Sequence, residues 1–346
     1  MGELWTPKEE ARLREHPYNY AHFNLDNPNK RTRKAFQIKR GMLGIGTDVP
    51  LEENPRNPGV LWDKKESSVG WRDYLAPMER RQEIRQLASQ SQDYAAIAIP
   101  SERPVPVACI SDWHIGSWGV QAKAIAEGTD KLLRFHEQYG LHVAMLGDML
   151  EMAIRLRSVA EIAGNLLTPA EQHAFQDSWL RDMAKLILYT VWDNHAIVRE
   201  EELTGHSALA ASYGTHTVYH SGIGHTDLTV GDQVYLLASS HRFQGRSVSN
   251  PVAGQMRYMM REAQDREVVI AGDSHVPAIS QYIEAGKVRT VANCGSFQTN
   301  SRYAKRYFSL HSSDAMPVLL FSPDEHVVQP FFSLDHFEAF AKRHLA

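Results

Sequence analysis

Five short apolar runs with strand character each stop at side chains able to bind a cation, and this repetition constrains the fold more than any other feature of the chain. Val105-Pro106-Val107-Ala108-Cys109-Ile110 leads into Ser111-Asp112-Trp113-His114, and Val143–Leu146 leads into Gly147-Asp148. Leu186–Val191 ends in Trp192-Asp193-Asn194-His195, Val234–Ser239 in Ser240-His241, and Val268–Ala271 in Gly272-Asp273-Ser274-His275. Apolar runs of this kind separated by helical stretches read as strands of an α/β sheet, and the carboxyl ends of such strands are where ligand crevices form. Asp112 and His114 stand two apart and can project the same way from a strand end. Gly147 permits a tight turn, and Asp148 can offer its two oxygens to two cations at once.

At these residues the chain resembles the calcineurin-like metallophosphoesterases, of the kind found among DNA-repair exonucleases. That family's motifs run Asp-x-His, Gly-Asp, Gly-Asn-His-Asp/Glu, a lone His, and Gly-His-x-His. The resemblance covers about Val105 to Phe332, and five motifs in order are far more specific than one short pattern. It implies a four-layer α/β sandwich, two mixed β-sheets flanked by helices. It also implies two divalent ions: Asp112, His114, Asp148 and His275 would hold the first, and Asp148, Asn194, His241 and Asp273 the second. Such ions lie about 3.5 to 4 Å apart and clamp phosphate oxygens for in-line displacement. His195 and Asp148 would be the catalytic residues, with His195 facing the substrate and protonating the leaving oxygen.

The chain departs from the family twice. Ala196 stands where an acid normally orients the catalytic His, and Glu200 or Glu201 is the expected substitute. Asp273 stands where the family has His, and a carboxylate there favours harder ions, Mn²⁺ or Mg²⁺ ahead of Zn²⁺, with Fe²⁺ also compatible.

Ahead of this region the texture differs. Thr6-Pro7-Lys8-Glu9 has the form of a capping box, opening a helix to about His16. A second helix starts at Thr32, with Ala35, Ile38 and Met42 at helical spacing and Gly44 as its stop. Residues 1–48 carry nine Lys/Arg against six Asp/Glu, so a chain of net charge −4 has a basic front. Trp5 and the run from Arg31 to Arg40 resemble the recognition helix of helix-turn-helix or Myb-like modules. Arg33, Lys34, Lys39 and Arg40 are therefore candidates for DNA phosphates, and Arg242 and Arg246, after His241, for the substrate phosphate or a nucleic-acid backbone. The expected domains are 1–48, helical and DNA-binding; 49–104, a linker rich in Pro, Gly and Asn followed by a charged helix or arm over 73–93; and 105–346, the metallophosphoesterase domain. Within the last, Ala122–Tyr139 and 150–182 read as helical, and Thr217–Tyr219, Asp227–Val230 and Val288–Ala292 as further strands.

With 43% apolar and 23% charged residues the composition is that of a globular chain. Two cysteines form no disulfide framework, and no apolar run spans a bilayer or forms a signal-peptide core, which predicts a cytoplasmic protein without membrane contact. The expected function is phosphodiester hydrolysis by a nuclease acting on DNA. The alternatives are a protein or small-molecule phosphatase with the same core, and a catalytically weakened DNA-binding protein.

Overall fold

The computed structural model describes residues 5–15, 31, 33–43, 52–53, 61–62, 71–90, 93–154, 164–245, 247, 249–298 and 316–345. The chain divides into two compact units, Met1–Arg80 and Arg81–Ala346.

The first unit holds helices α1 (Pro7–Glu15) and α2 (Arg33–Met42) and a two-stranded ribbon of β1 (Glu52–Glu53) and β2 (Leu61–Trp62). Helix α1 starts as expected. The Glu9 backbone N–H donates to Thr6 Oγ1 at 3.2 Å, and the Thr6 backbone N–H donates to Glu9 Oε2 at 2.8 Å. Glu9 also takes a two-pronged bond from Arg31, whose Nε and Nη2 lie 2.8 and 2.9 Å from its two oxygens, so both buried charges are matched. The apolar face of α2 is not the expected one. Phe36 packs with Leu13, Trp5 and Leu43, whereas Ile38 is 55% and Met42 76% exposed. Phe36 and Leu43 are two turns apart and present a larger apolar stripe than Ala35 with Ile38.

Helix α3 (Trp71–Gln90) spans the division between the units. The second unit continues with strands β3 (Tyr94–Ile99) and β4 (Val105–Ile110), helix α4 (Ala122–Tyr139), strand β5 (His142–Met145), helix α5 (Pro169–Met183) and strand β6 (Ile187–Val191). Helices α6 (Ala196–Thr204) and α7 (Ala208–His216) precede strands β7 (Val218–His220), β8 (Gly224–Val230) and β9 (Gln233–Ser240). Helix α8 (Ala253–Arg261) leads to β10 (Val268–Ala271), β11 (Ala278–Glu284), β12 (Lys287–Asn293), β13 (Val318–Phe321), β14 (Val328–Phe331) and helix α9 (Leu334–His344).

Two mixed six-stranded sheets result, in the orders β14-β13-β4-β5-β6-β7 and β11-β12-β10-β9-β8-β3. In the first, β4 to β7 run parallel and β13 closes one side antiparallel. In the second, β9, β10 and β12 are parallel. Every residue of β4 is buried, and alternation along it serves two cores. Val105, Val107 and Cys109 meet Leu228, Leu237 and Ile270 of the other sheet. Ala108 and Ile110 turn outward against Leu132 and Phe135 of α4, Leu180 of α5 and Phe337 of α9. Met259 of α8 covers the far face of the second sheet at Val269 and Ala271. Helix, sheet, sheet, helix is the four-layer sandwich that the motif series implies.

Three expectations change. The stretch 150–182 is not one helix: residues 151–154 belong to no helix or strand, residues 155–163 lie outside the described set, and α5 begins only at Pro169, behind a capping box of Thr168 and Glu171. Strand β3, inside the segment read as linker and arm, pairs in parallel with β8 and edges the second sheet. Its Tyr-Ala-Ala-Ile-Ala-Ile run is apolar throughout but is half-buried on one face and exposed on the other, as befits an edge strand. The strands over 278–284, 318–321 and 328–331 also escape the sequence reading. Among the described residues no helix is long and apolar enough to cross a membrane, and both cysteines are buried and unpaired.

Candidate metal centre

The carboxyl ends of β4, β5, β6, β9 and β10 converge, and the backbone there is bent into an uncommon conformation. Asp112, His114, Asp148, Asp273 and His275 all have positive φ, between 50° and 64°. Each such non-glycine residue costs on the order of 1–3 kcal/mol and persists only when its surroundings over-determine it. Here the turns are fixed crosswise: the Asp112 N–H donates to the Gly147 carbonyl at 3.1 Å, and the His114 N–H to the Asp148 carbonyl at 3.0 Å. Gly147 itself is required by space, because a Cβ would come within 2.9 Å of the Trp192 carbonyl and 3.0 Å of His241 Nδ1.

The side chains meet as three overlapping groups, Asp112/His114/His275, Asp112/Asp148/His241 and His114/Glu151/His195. Within each group the ligand-type atoms lie within 4.8 Å of one another. His275 Nε2 is 3.2 Å from both His114 Nε2 and Asp112 Oδ1, and His241 Nε2 is 3.1 Å from Asp148 Oδ2. The outer nitrogens set the tautomers. His241 Nδ1–H donates to the Leu146 carbonyl at 2.7 Å, and His114 Nδ1 lies 3.1 Å from Glu151 Oε2, which turns both Nε2 lone pairs inward.

Buried atoms here without a hydrogen bond of good geometry include Asp112 Oδ1, His114 Nδ1, Asn194 Oδ1, His195 Nδ1 and His241 Nε2. Buried polar atoms are nearly always satisfied. Orphaned oxygens and an imidazole nitrogen around one small space are what ligands of a divalent ion look like without it, so Asp112, His114, Asp148, Asn194, His241 and His275 fit the group that the motifs imply. Asp273 lies close enough for its charge to favour protonation of His241, and it also faces Arg242. Its carboxylate Oδ2 lies 3.5 Å from Arg242 Nε, and its backbone N–H donates to Asp112 Oδ2 at 2.9 Å.

Charges are mutually supporting. Burial opposes the ionisation of Asp148, but His195, His241 and His114 hold it well below the usual carboxylate range. Burial likewise opposes the charge on His241 and His195, yet Asp148 carries the first up to about 10, and Asp148 with Glu151 carries the second up to about 9. Asp193, buried beside Asp148, is pushed up to about 7. Its Oδ1 caps α6 by accepting the Ile197 N–H at 2.7 Å.

Of the two expected substitutes for the missing acid, Glu200 is engaged elsewhere. Glu200 accepts from His173 Nε2 at 2.5 Å, from Ser207 Oγ at 2.7 Å and from the Leu209 N–H at 3.2 Å, away from His195. Ala196 packs in the helix-side core, where an acid would be buried. The acid comes instead from Glu151, whose Oε1 is 3.6 Å from His195 Nδ1, while Arg199 Nη1 donates to the Glu151 carbonyl at 2.6 Å. Its signal was in the sequence: a second acid three residues after Asp148, Gly147-Asp148-Met149-Leu150-Glu151. Of the centre's rings His195 is the most open, with 25% of its side chain exposed against 17% for His275, 2% for His114 and none for His241.

The other candidates are scattered. Arg242 reaches Asp273 with half its side chain exposed, and Arg246 lies outside the described residues. On α2, Lys39 Nζ pairs with Glu10 Oε1 at 2.7 Å, Arg40 is partly buried, and the side chains of Arg33 and Lys34 lie outside the described set. Trp113 is a packing residue, wedged edge-on between Trp179 and Phe297, whereas Trp118 is 62% exposed and shields nothing.

The His173–Glu200 pair yields a stability expectation. Its hydrogen bond to Glu200 raises His173 above its ordinary 6.5; Glu200 is opposed by burial but lowered from 4.5 by His173 and Ser207. The raised His stabilises fully below 6.5 and loses this as pH rises through its folded value. The lowered Glu stabilises above 4.5 and loses this as pH falls through its folded value. His173→Gln is therefore expected to cost about 1 kcal/mol in urea unfolding near pH 5.5 and much less near pH 9.5. An equal cost at both would show that the pair carries no charge interaction.

No protein-family model and no curated protein matches the chain. Among solved structures, a conserved uncharacterized Streptococcus pneumoniae protein described as a predicted phosphoesterase is 13% identical over 67% of this chain and 99% of its own, with a TM-score of 0.29. Vps29 of Entamoeba histolytica, solved with zinc, is 13% identical over 65% and 97%, with a TM-score of 0.31. A metallophosphoesterase from Sphaerobacter thermophilus is 13% identical over 69% and 93%, also at 0.31. These likenesses are weak, and the description of the sandwich rests on the sheets themselves.

Proposed function

We propose that the chain is a two-metal-dependent phosphoester hydrolase, and specifically a cytoplasmic phosphodiesterase acting on nucleic acid, DNA first. The observation that carries this reading is the overlap of three ligand-type groups, Asp112/His114/His275, Asp112/Asp148/His241 and His114/Glu151/His195, at the carboxyl ends of neighbouring strands. Two divalent ions, Mn²⁺ or Mg²⁺ ahead of Fe²⁺ or Zn²⁺, would neutralise phosphate oxygens and lower the pKa of an attacking water.

The chain's own residues supply the rest. Asp112, His114 and His275 hold one position, Asn194 and His241 the other, and Asp148 lies between them. Burial opposes a charge on His195, at the rim, but Asp148 and Glu151 flank the ring and favour its protonated form in the metal-free chain, and a proton carried there would be available to a leaving oxygen. Glu151 Oε1, 3.6 Å from His195 Nδ1, faces that side of the ring and leaves the Nε2 side for the substrate. Arg242, held beside the centre by Asp273, can meet a non-bridging phosphate oxygen in a forked contact.

The diester reading draws on the basic N-terminal segment, with Arg33, Lys34 and Arg40 as phosphate contacts; Lys39 is engaged by Glu10. The test is hydrolysis of bis(p-nitrophenyl) phosphate, p-nitrophenyl phosphate and a DNA oligonucleotide with Mn²⁺, Mg²⁺ or Zn²⁺. Diester and DNA cleavage abolished by chelator is expected. Turnover of the monoester alone would replace the nuclease reading with the phosphatase one.

A further inference from the structure

A groove of about 1310 Å³ opens beside the metal centre in the second unit, between α6, α7 and β7 and the loop that follows His241 together with α8. Chain neighbours of the centre line it. Trp192 precedes the Asp193-Asn194-His195 turn, and Ser240 and Arg242 flank His241, and all three line it. Its volume exceeds the roughly 300–1,000 Å³ that encloses a small ligand, so a compact phosphomonoester would leave most of it unused.

Its cationic lining is ordered. Arg242 stands at the inner end, and Arg257 and Arg261 follow on α8, four residues apart and thus on one helix face about one turn, 5.4 Å, from each other. The intervening loop is fitted to Arg257: Gly245 has φ +101°, and a Cβ there would strike the Arg257 guanidinium. Gly254 lets α8 approach the same loop, since a Cβ would come within 3.0 Å of the Phe243 carbonyl. Glu201 and Glu262 are the acids of the lining, and the half-buried rings of Trp192 and Tyr219 supply flat apolar surface.

We infer that this groove is a binding site for the strand that adjoins the scissile phosphate, with Arg257 and Arg261 gripping successive backbone phosphates of a single-stranded polynucleotide. The inference rests on the phosphodiesterase reading and gives it a substrate form. Arginines along a groove with stacking surface are the physical requirements of a single-strand site, and guanidinium forks suit phosphate better than ammonium does. A duplex or a free phosphate offers the same charge, and the experiment separates them.

The double variant R257A/R261A, made in the full chain, is compared with wild type on a single-stranded DNA of about 12 nucleotides, its duplex, inorganic phosphate and bis(p-nitrophenyl) phosphate, which has no second phosphate. Binding of the single strand is measured without turnover, on metal-free protein, across a salt series. Loss of two phosphate contacts should weaken it at least tenfold and flatten the log–log salt slope by about 1.4, whereas hydrolysis of the minimal diester is retained. Unchanged single-strand affinity and slope would overturn the proposal, as would an equal loss on duplex or equal competition by inorganic phosphate. A wild type that hydrolyses no diester yet shows the arginine-dependent slope would overturn the hydrolase reading and leave the groove standing.

Discussion

Asp148→Asn should reduce metal-dependent diester hydrolysis by on the order of 10³-fold and leave the chain with one bound divalent ion or none. Asp148 Oδ2 lies 3.1 Å from His241 Nε2, and its Oδ1 accepts the His195 N–H at 3.2 Å, so its carboxylate faces both the lone-His position and the substrate-facing ring. Charge stabilisation by bound metal is worth several kcal/mol in the transition state, and each 1.36 kcal/mol is tenfold in rate. The amide keeps the volume and one carbonyl oxygen but removes the charge that holds His195 and His241 protonated in the absence of metal. The substitution should therefore be tolerated by the fold and read out in metal content. Two bound ions with near-normal turnover would show that Asp148 does not join the two positions.

Glu151→Gln should lower turnover about 10- to 100-fold and weaken metal binding by a similar factor, the usual cost of removing a group that orients a metal-binding imidazole. The reason is geometric. One buried carboxylate faces His114 Nδ1 at 3.1 Å and His195 Nδ1 at 3.6 Å, so it orients a metal-side ring and the substrate-side ring together. A purely structural glutamate would cost stability without touching the metal dissociation constant. Isothermal titration with Mn²⁺ alongside kcat separates these, and unchanged affinity with unchanged kcat would remove Glu151 from the centre. Ala196→Glu is not expected to rescue the variant, because position 196 faces the helix-side core.

The ligand positions were legible because each is announced by a buried parallel strand, whose unbroken apolar run is hard to mistake, followed at once by Asp, Asn or His. The outer elements were less so. Strands β3, β11 and β14 are half-buried edge strands, and β13, a fully buried apolar run of four residues, leads into Ser322-Pro323 rather than a ligand-type residue. Glu151 is not legible from local spacing, because the resembled motif has its acid next to the His in the chain, whereas folding brings one from the neighbouring strand end. Asp273 is placed at the centre by its position in the motif, and its carboxylate also lies 3.5 Å from Arg242 Nε, a pairing between the end of β10 and the loop after β9 that no local spacing reveals. On α2 the spacing of Ala35, Ile38 and Met42 was real but lost to Phe36, whose burial against Leu13 decides which face turns inward.

The central claim is that two divalent ions sit among Asp112, His114, Asp148, Asn194, His241 and His275. Anomalous scattering from crystals of the full chain grown with Mn²⁺ tests it most directly. Two peaks about 3.5 to 4 Å apart are expected, one against Asp112, His114 and His275 and the other against Asn194 and His241, with Asp148 between them. Absence of any peak at these side chains under saturating Mn²⁺, or a single peak elsewhere on the chain, would contradict the account.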